Sequence, residues 1–353
     1  MSEAAADAEA LVERRGAAGV IVLNRPQALN ALTLTMVRRI AAALDGWRKD
    51  PSVTRVVVSG AGDKAFCAGG DIRHLYELGR AGDHDGQLTF WREEYRLNRR
   101  IRTYPKPVVA LIDGIVMGGG VGVSINAAHR VAGERFSFAM PEVGIGFFPD
   151  VGATYFLPRL PRRGGVYLAL TGSRADAGDA LAFGLAETFV PSAALGALAQ
   201  ALEEGRDVGD TIALFAAPPP ASGLWAQADG IEACFGARSL EAVLAALEAA
   251  EAKGFAFAGP ARAAMLAKSP TSLALALRQM ELGSTVDFDE ALRIEYRIVS
   301  RLCRGRDFYE GVRAVIVDKD SRPVWAPPPS DAEVDAYFAP LGDGELTFPA
   351  PHQ

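Results

Sequence analysis

The sequence is short of the residues from which stapled, metal-bound and membrane-spanning proteins are built. Its 353 residues hold 3 cysteines and 4 histidines. Cys67, Cys234 and Cys303 are scattered and odd in number, matching neither a disulfide framework nor the paired spacing of a zinc site, so a reducing compartment is expected. His74, His84, His129 and His352 form no ligand cluster, and HExxH and CxxC are absent, so no metal is expected. No apolar run approaches the roughly 20 residues that cross a bilayer. The opening MSEAAADAEA lacks the basic start and apolar stretch of a secretory signal, which points to a cytoplasmic location. Positive charge is not in excess either: 37 Lys and Arg stand against 43 Asp and Glu, a net charge of −6. That balance disfavours nucleic acid or an anionic membrane as principal partner.

What is present describes a globular chain. With 49% apolar and 23% charged residues it can bury a sizeable core, and its length exceeds the usual single domain. Short β-rich runs at 19–23, 53–59 and 108–112, bounded by Pro, Gly or Asp, alternate with amphipathic stretches such as TLTMVRRIAAALDGWRKD, an α/β pattern. After about residue 204 the texture changes. LFAAPPPASG reads as a spacer, and SLEAVLAALEAAEA and DFDEALRIEYRIVSRLCR read as helices. The expected division is therefore a core over 1–204 and a mainly helical region over 205–353. Its Pro-rich tail would wrap the surface, anchored by Trp325, Tyr337 and Phe338.

Several short motifs carry chemistry. VVVSGAGDKA places Gly60 and Gly62 in a GxGxxA frame after a strand, but another glycine turn follows where a dinucleotide fingerprint needs a long helix. AFCAGGDI and DGIVMGGGVGVSINAA each follow a strand. Side by side they would aim two backbone N–H donors at one oxyanion; alternatively they need glycine only for tight turning. MPEVGIGFFPD carries Glu142 and Asp150 into an otherwise apolar segment, where acids have partners, cap a turn or have a chemical task. In FWREEYRLNRRI, Phe90, Glu94, Leu97 and Ile101 share i, i+4, i+7, i+11 spacing, so Glu94 falls on the apolar stripe and Glu93 does not. Glu94 then either serves a site or pairs with an arginine such as Arg99 or Arg100. Cys67 has no base near it in sequence, and Ser124 lacks the GxSxG elbow.

LNRPQALNAL, AFCAGGDI, KPVVALIDGIVMGGGVG and the Glu142 segment together resemble the enoyl-CoA hydratase/isomerase (crotonase) superfamily. FAMPEVGIGFFPDVGATYFLPRL, REEYRLN, SPTSLALALRQM and EYRIVSRLCRGRDFYEGVRAVIVDKDSRPVW extend the resemblance from about residue 18 to 346. Those stretches are similar to the branch that hydrolyses β-hydroxyacyl-CoA thioesters.

The resemblance implies a crotonase-like spiral of ββα units with C-terminal helices that complete an acyl-CoA site. It implies an oxyanion hole from the N–H groups of Gly70 and Gly119, coenzyme A lying near Ala68, and Glu94 contacting the acyl portion. In related hydratases one catalytic Glu follows the GGG turn and a second lies 20 residues on; here Gly122 occupies the first position and Glu142 the second. Asp150 stands where hydratases commonly carry Gly. Water addition across a double bond uses acid and base on one face, so this exchange favours hydrolysis. The implied substrate is 3-hydroxyisobutyryl-CoA of valine breakdown, or 3-hydroxypropionyl-CoA, with coenzyme A as part of the substrate and no separate cofactor. A hydratase or isomerase of the same fold, or a non-catalytic acyl-CoA-binding module, is the alternative. Relatives assemble as trimers or pairs of trimers, whereas the C-terminal extension here is long enough to cover that interface, so a homo-oligomer is one expectation and not the only one.

Overall fold

The computed structural model describes residues 8–349, so the first seven residues of the expected signal-free start, and His352, lie outside the described residues. Among the described residues nine strands build two sheets. A hairpin of β1 (Ala10–Arg15) and β2 (Ala18–Leu23) opens the larger sheet, with Val12 paired to Ile21. Then a two-strand unit recurs. β3 (Arg55–Gly60), β5 (Val108–Ile112) and β7 (His129–Ala132) join the larger sheet in parallel, and β9 (Thr188–Phe189) closes it. Each of the first three is followed by a short strand of a second sheet: β4 (Ala65–Cys67), β6 (Ile115–Met117) and β8 (Ser137–Ala139).

This alternation is the spiral that the resemblance implied. β3 and β5 are Val-rich and almost wholly buried, as parallel strands covered on both faces must be. Val57, Val109, Leu111 and Val131 form one core with Leu198, Leu202 and Ile212, which come from the helices Ser192–Glu203 and Val208–Ala213. Helix Leu34–Arg48 begins where Thr33 accepts from the Met36 N–H at 3.1 Å and buries Met36, Val37, Ile40 and Leu44.

The chain forms two compact units, and they do not follow the linear cut expected at residue 204. The first takes the residues up to Asp71, Glu93–Phe138 and Ala175–Trp225; the second takes Ile72–Arg92, Ala139–Arg174 and the chain from Ala226 onward. The reason is local: residues 139–174 hold little regular strand and pack their apolar side chains among the later helices, so sequence order and contact order part company.

Within the second unit, helix Pro270–Gly283 starts at Ser269, whose Oγ accepts from the Ser272 N–H at 3.1 Å, with proline in the first turn. Helix Phe288–Leu302 starts at Asp287 in the same manner, accepting from the Glu290 N–H at 2.8 Å. Trp91 stacks on Phe147 with centroids 5.5 Å apart, and Phe308 packs edge-on at 6.2 Å. The tail differs from its expectation. It contains a helix, Asp331–Phe338, with a Ser330/Glu333 capping box, and its buried residues are Val334 and Leu346, whereas Trp325, Tyr337 and Phe338 are half-buried. Trp325 holds on by its ring N–H, which donates to the Ala267 carbonyl at 3.1 Å.

Candidate active site

The first unit carries the two glycine turns. The segment LNRPQALNAL lies along the first of them: the Leu32 N–H donates to the Gly69 carbonyl at 2.8 Å, the Asp71 N–H to Leu32 at 2.9 Å and the Ala68 N–H to Leu29 at 2.9 Å. Arg25 clamps both strands of this loop, donating to the Ala31 carbonyl at 2.7 Å and to Asp71 at 3.1 Å. Asn30 lies in the left-handed region and donates to the Ala61 and Ala65 carbonyls at 2.9 and 2.8 Å. Ala68 is thereby fixed just past β4.

The second turn enters a single helical turn, Gly119–Gly122, through Gly118, whose φ of +45° suits glycine. A Cβ on Gly120 would run into Cys67, with its Cβ at 2.8 Å, so the turns meet backbone to backbone. A Cβ on Gly119 would collide with Glu94 Oε1 and come within 3.3 Å of the Gly70 nitrogen. Gly70, Gly119 and Glu94 are therefore brought together. Among the described residues neither the Gly70 nor the Gly119 N–H donates a hydrogen bond inside the protein. Two unengaged donors converging beside a buried acid is a geometry for receiving an oxygen of a ligand.

Glu94 is 2% exposed, and Phe90, Leu97 and Ile101 are buried with it, as the spacing predicted. Glu93 instead pairs with Arg38, and Arg100 pairs with Asp45 at 2.9 Å. Two other candidates lose chemical plausibility. The Cys67 thiol is fully buried and pushed up to about 12, first by burial, so no thiolate is available near neutrality. Ser124 spends its hydroxyl on its own turn, donating to the Gly120 carbonyl at 2.8 Å. After Gly60 and Gly62 the chain runs into β4 and not into a helix, which removes the dinucleotide frame.

The second unit carries the acids. Glu142 opens a 3-10 turn, Glu142–Ile145, closed by left-handed Gly146, and Phe147 donates its N–H to the Glu142 carbonyl at 3.0 Å. Glu142 and Asp150 are buried together, 6% and 4% exposed. The Glu142 carboxyl is held well above the usual carboxylate range, first by burial and next by the charge of Asp150. Its Oε2 has no hydrogen-bond partner among the described residues.

A third carboxylate was missed by sequence reasoning. Glu295, fully buried on helix Phe288–Leu302, accepts from the Gly152 N–H at 2.8 Å and the Thr154 N–H at 2.9 Å. Burial, and then Asp150, pushes it up to about 8. Gln279 was missed as well; its amide donates to the Pro149 carbonyl at 2.9 Å and to Thr154 Oγ1 at 2.7 Å. A signal for Glu295 existed. Phe288, Leu292, Glu295, Val299 and Leu302 follow the same apolar spacing that singled out Glu94.

Known proteins share this whole arrangement of chain. The model of the enoyl-CoA hydratase/isomerase family matches residues 18–338. Curated relatives named "3-hydroxyisobutyryl-CoA hydrolase, mitochondrial" include one from Xenopus tropicalis, 46% identical over 96% of this chain and 91% of the relative. The one from Rattus norvegicus is 45% identical over 99% of this chain and 93% of its own. Among solved structures, an enoyl-CoA hydratase from Rhodobacter sphaeroides 2.4.1 aligns with a TM-score of 0.90 at 44% identity, covering 97% of this chain and 100% of that one. A carnitinyl-CoA dehydratase from Mycobacterium thermoresistibile aligns at 0.91 and 39% identity, over 97% and 99%. With the model spanning nearly the full length and relatives this similar over both chains, the protein belongs to the enoyl-CoA hydratase/isomerase family.

Proposed function

We propose that this protein hydrolyses 3-hydroxyisobutyryl-CoA to 3-hydroxyisobutyrate and free coenzyme A, a step of valine breakdown. The curated relatives supply the substrate name. The observation in this chain that carries the reading is the buried, mutually repelling pair Glu142 and Asp150, combined with Gly122 where related hydratases hold their other acid. The two solved relatives bear hydratase and dehydratase names, which makes the hydratase the reading to beat. Gly122 speaks against it, because a glycine supplies no proton.

In this reading the thioester carbonyl oxygen takes the Gly70 and Gly119 N–H groups, which stabilise the oxyanion as it forms. Glu142 either attacks the carbonyl carbon, giving a mixed anhydride that water then opens, or takes the proton from an attacking water. On both routes the C–S bond breaks, coenzyme A leaves as thiolate, and water supplies the oxygen of the acid. Asp150 binds the substrate's 3-hydroxyl or assists proton transfer. Glu94 contacts the acyl portion, and the coenzyme A arm passes Ala68. No redox cofactor is required, since the cleavage involves no change of oxidation state, and this reading assigns no step to a metal.

Thiol release, followed with a chromogenic disulfide reagent, tests this on 3-hydroxyisobutyryl-CoA beside crotonyl-CoA. The enzyme's own cysteines are buried and contribute little background. Release from the hydroxyacyl thioester is expected; loss of crotonyl-CoA absorbance without release would mean hydration, and tight binding without turnover would mean a binding module.

A second expected result concerns pH. Glu142 must be ionised to work, and Asp150 is one cause of its raised pKa. The acid limb of kcat/KM should therefore lie well above pH 4.5, and Asp150→Asn should move it to lower pH in the residual activity. An unmoved limb would mean that another group sets it.

We place the protein in a reducing compartment, on its three free cysteines; the relatives' names specify mitochondria, so the cytoplasmic expectation is not retained in preference. Among the described residues no helix is long and apolar enough to cross a membrane. We propose the acyl-CoA thioester as partner, neither nucleic acid nor membrane, and self-association by sedimentation as the check on a homo-oligomer.

A further inference from the structure

We propose that Glu295 is a positioning residue for the reaction: through the loop that follows Asp150, it sets the place from which that carboxylate meets the substrate's 3-hydroxyl. The inference rests on the role given to Asp150 above.

The loop is one the chain would not adopt unaided. Val151 has φ +56°, a left-handed conformation that a β-branched residue disfavours, and Gly152 follows at φ +96°. A side chain on Gly152 would lie 2.7 Å from the Phe288 ring, so the turn is closed sterically as well. What holds it is a set of bonds to two helices. Glu295 takes one backbone N–H on each oxygen, Gly152 on Oε2 at 2.8 Å and Thr154 on Oε1 at 2.9 Å. Gln279 donates to the Pro149 carbonyl at 2.9 Å and to Thr154 Oγ1 at 2.7 Å, and the Ala153 N–H donates back to the Asp150 carbonyl at 2.9 Å. Residues 149, 152 and 154 are thus tied directly to helices Pro270–Gly283 and Phe288–Leu302, with Asp150 inside the tied stretch. A fully buried carboxylate is a costly choice of clamp where an amide would be cheaper to bury. Its merit is geometric: the two N–H bonds favour the ionised form against the burial and the Asp150 charge that raise its pKa, and in that form the group offers two acceptor oxygens and no donor, whereas an amide would set its NH2 against one of the N–H groups.

The test is a double-mutant cycle of Glu295→Ala with Asp150→Asn, read on 3-hydroxyisobutyryl-CoA and on isobutyryl-CoA, the same thioester without the hydroxyl. Glu295→Ala should lower kcat on the hydroxyacyl substrate about 30-fold and change isobutyryl-CoA turnover less than about threefold, as expected when only an orienting contact is lost. The double variant should be no slower than Asp150→Asn alone within about threefold. Glu295→Gln, which keeps one acceptor, should fall between wild type and Glu295→Ala; if the alanine variant does not fold, the cycle is scored on Glu295→Gln and on Gln279→Leu, which cuts the other tether. Equal loss on both substrates, or losses that multiply in the double variant, would reduce Glu295 to a structural residue. If wild type itself does not prefer the hydroxyacyl substrate, the role of Asp150 falls and this proposal with it; if wild type prefers it and the variants lose both substrates alike, only the proposal for Glu295 falls.

Discussion

Glutamine in place of Glu142 is expected to lower kcat/KM for thioester hydrolysis about 1,000-fold or more, the scale of losing a nucleophile or a positioned base. The same substitution should make the protein more stable at pH 8. Both effects come from one feature: a carboxyl that is almost fully buried, lies near Asp150 and has an Oε2 with no hydrogen-bond partner among the described residues. Its folded pKa is raised above the ordinary 4.5, so between that value and the raised one the folded state binds more protons than the unfolded state. Stability from this group is complete below about pH 4.5 and is lost as pH rises through the folded pKa. The neutral, nearly isosteric glutamine avoids that loss. Melting temperatures across pH 5 to 8 should therefore fall less steeply in Glu142→Gln, with a gap of a few degrees at the alkaline end. Activity within about threefold of wild type would move the chemistry elsewhere; identical melting profiles would mean that the carboxyl is not desolvated in solution.

Gly119→Ala is expected to cost about 100- to 1,000-fold in kcat, the range seen when one oxyanion donor is lost, with a smaller change in KM. The methyl group has nowhere to go. It would strike Glu94 Oε1, stand 3.1 Å from Leu32 Cδ1 and sit 3.3 Å from the Gly70 nitrogen, in the space between the two donors. Relief comes from pushing the Glu94 carboxyl out of its place or from a shift of the turn that withdraws the N–H, and either one disturbs the site. Gly46→Ala is the control: it lies in helix Leu34–Arg48 with nothing within 4 Å of the added carbon, and should leave turnover unchanged. If Gly119→Ala keeps normal kcat on the hydroxyacyl thioester, these glycines are there for the turn alone.

Much of this was legible in the sequence because the physics was local or the resemblance was dense. Strands 19–23 and 108–112 stood out as β-branched runs between turn residues, and the glycine turns declared themselves by composition. Glu94 was found by periodicity alone, an acid on an apolar stripe. Glu295 obeys the same rule on helix Phe288–Leu302 and passed unnoticed, because its partners Gly152 and Thr154 lie 143 and 141 residues away in sequence, with no turn chemistry to advertise the contact. The difference between the linear cut at residue 204 and the two compact units has a similar origin. Composition changes near residue 204, but residues 72–92 and 139–174 pack with what comes later, and composition does not record packing. The tail helix was readable: Ser330 and Glu333 make a capping box three residues apart, a stronger signal than the aromatic residues taken as anchors.

The 143-residue span between Gly152 and Glu295 has a consequence for biosynthesis. At about 5–20 residues per second, a ribosome needs roughly 7–30 s after making the Asp150 loop to deliver the carboxylate that holds it. At the start of that interval the strands of the larger sheet up to β7 are already synthesised and β9 soon follows, whereas until the chain passes residue 283 the Asp150 loop has neither of its clamping helices. The nascent chain therefore shows Phe147, Phe148 and Val151 to the cell before it can cover them, and a chaperone that recognises short apolar stretches would find its target there first.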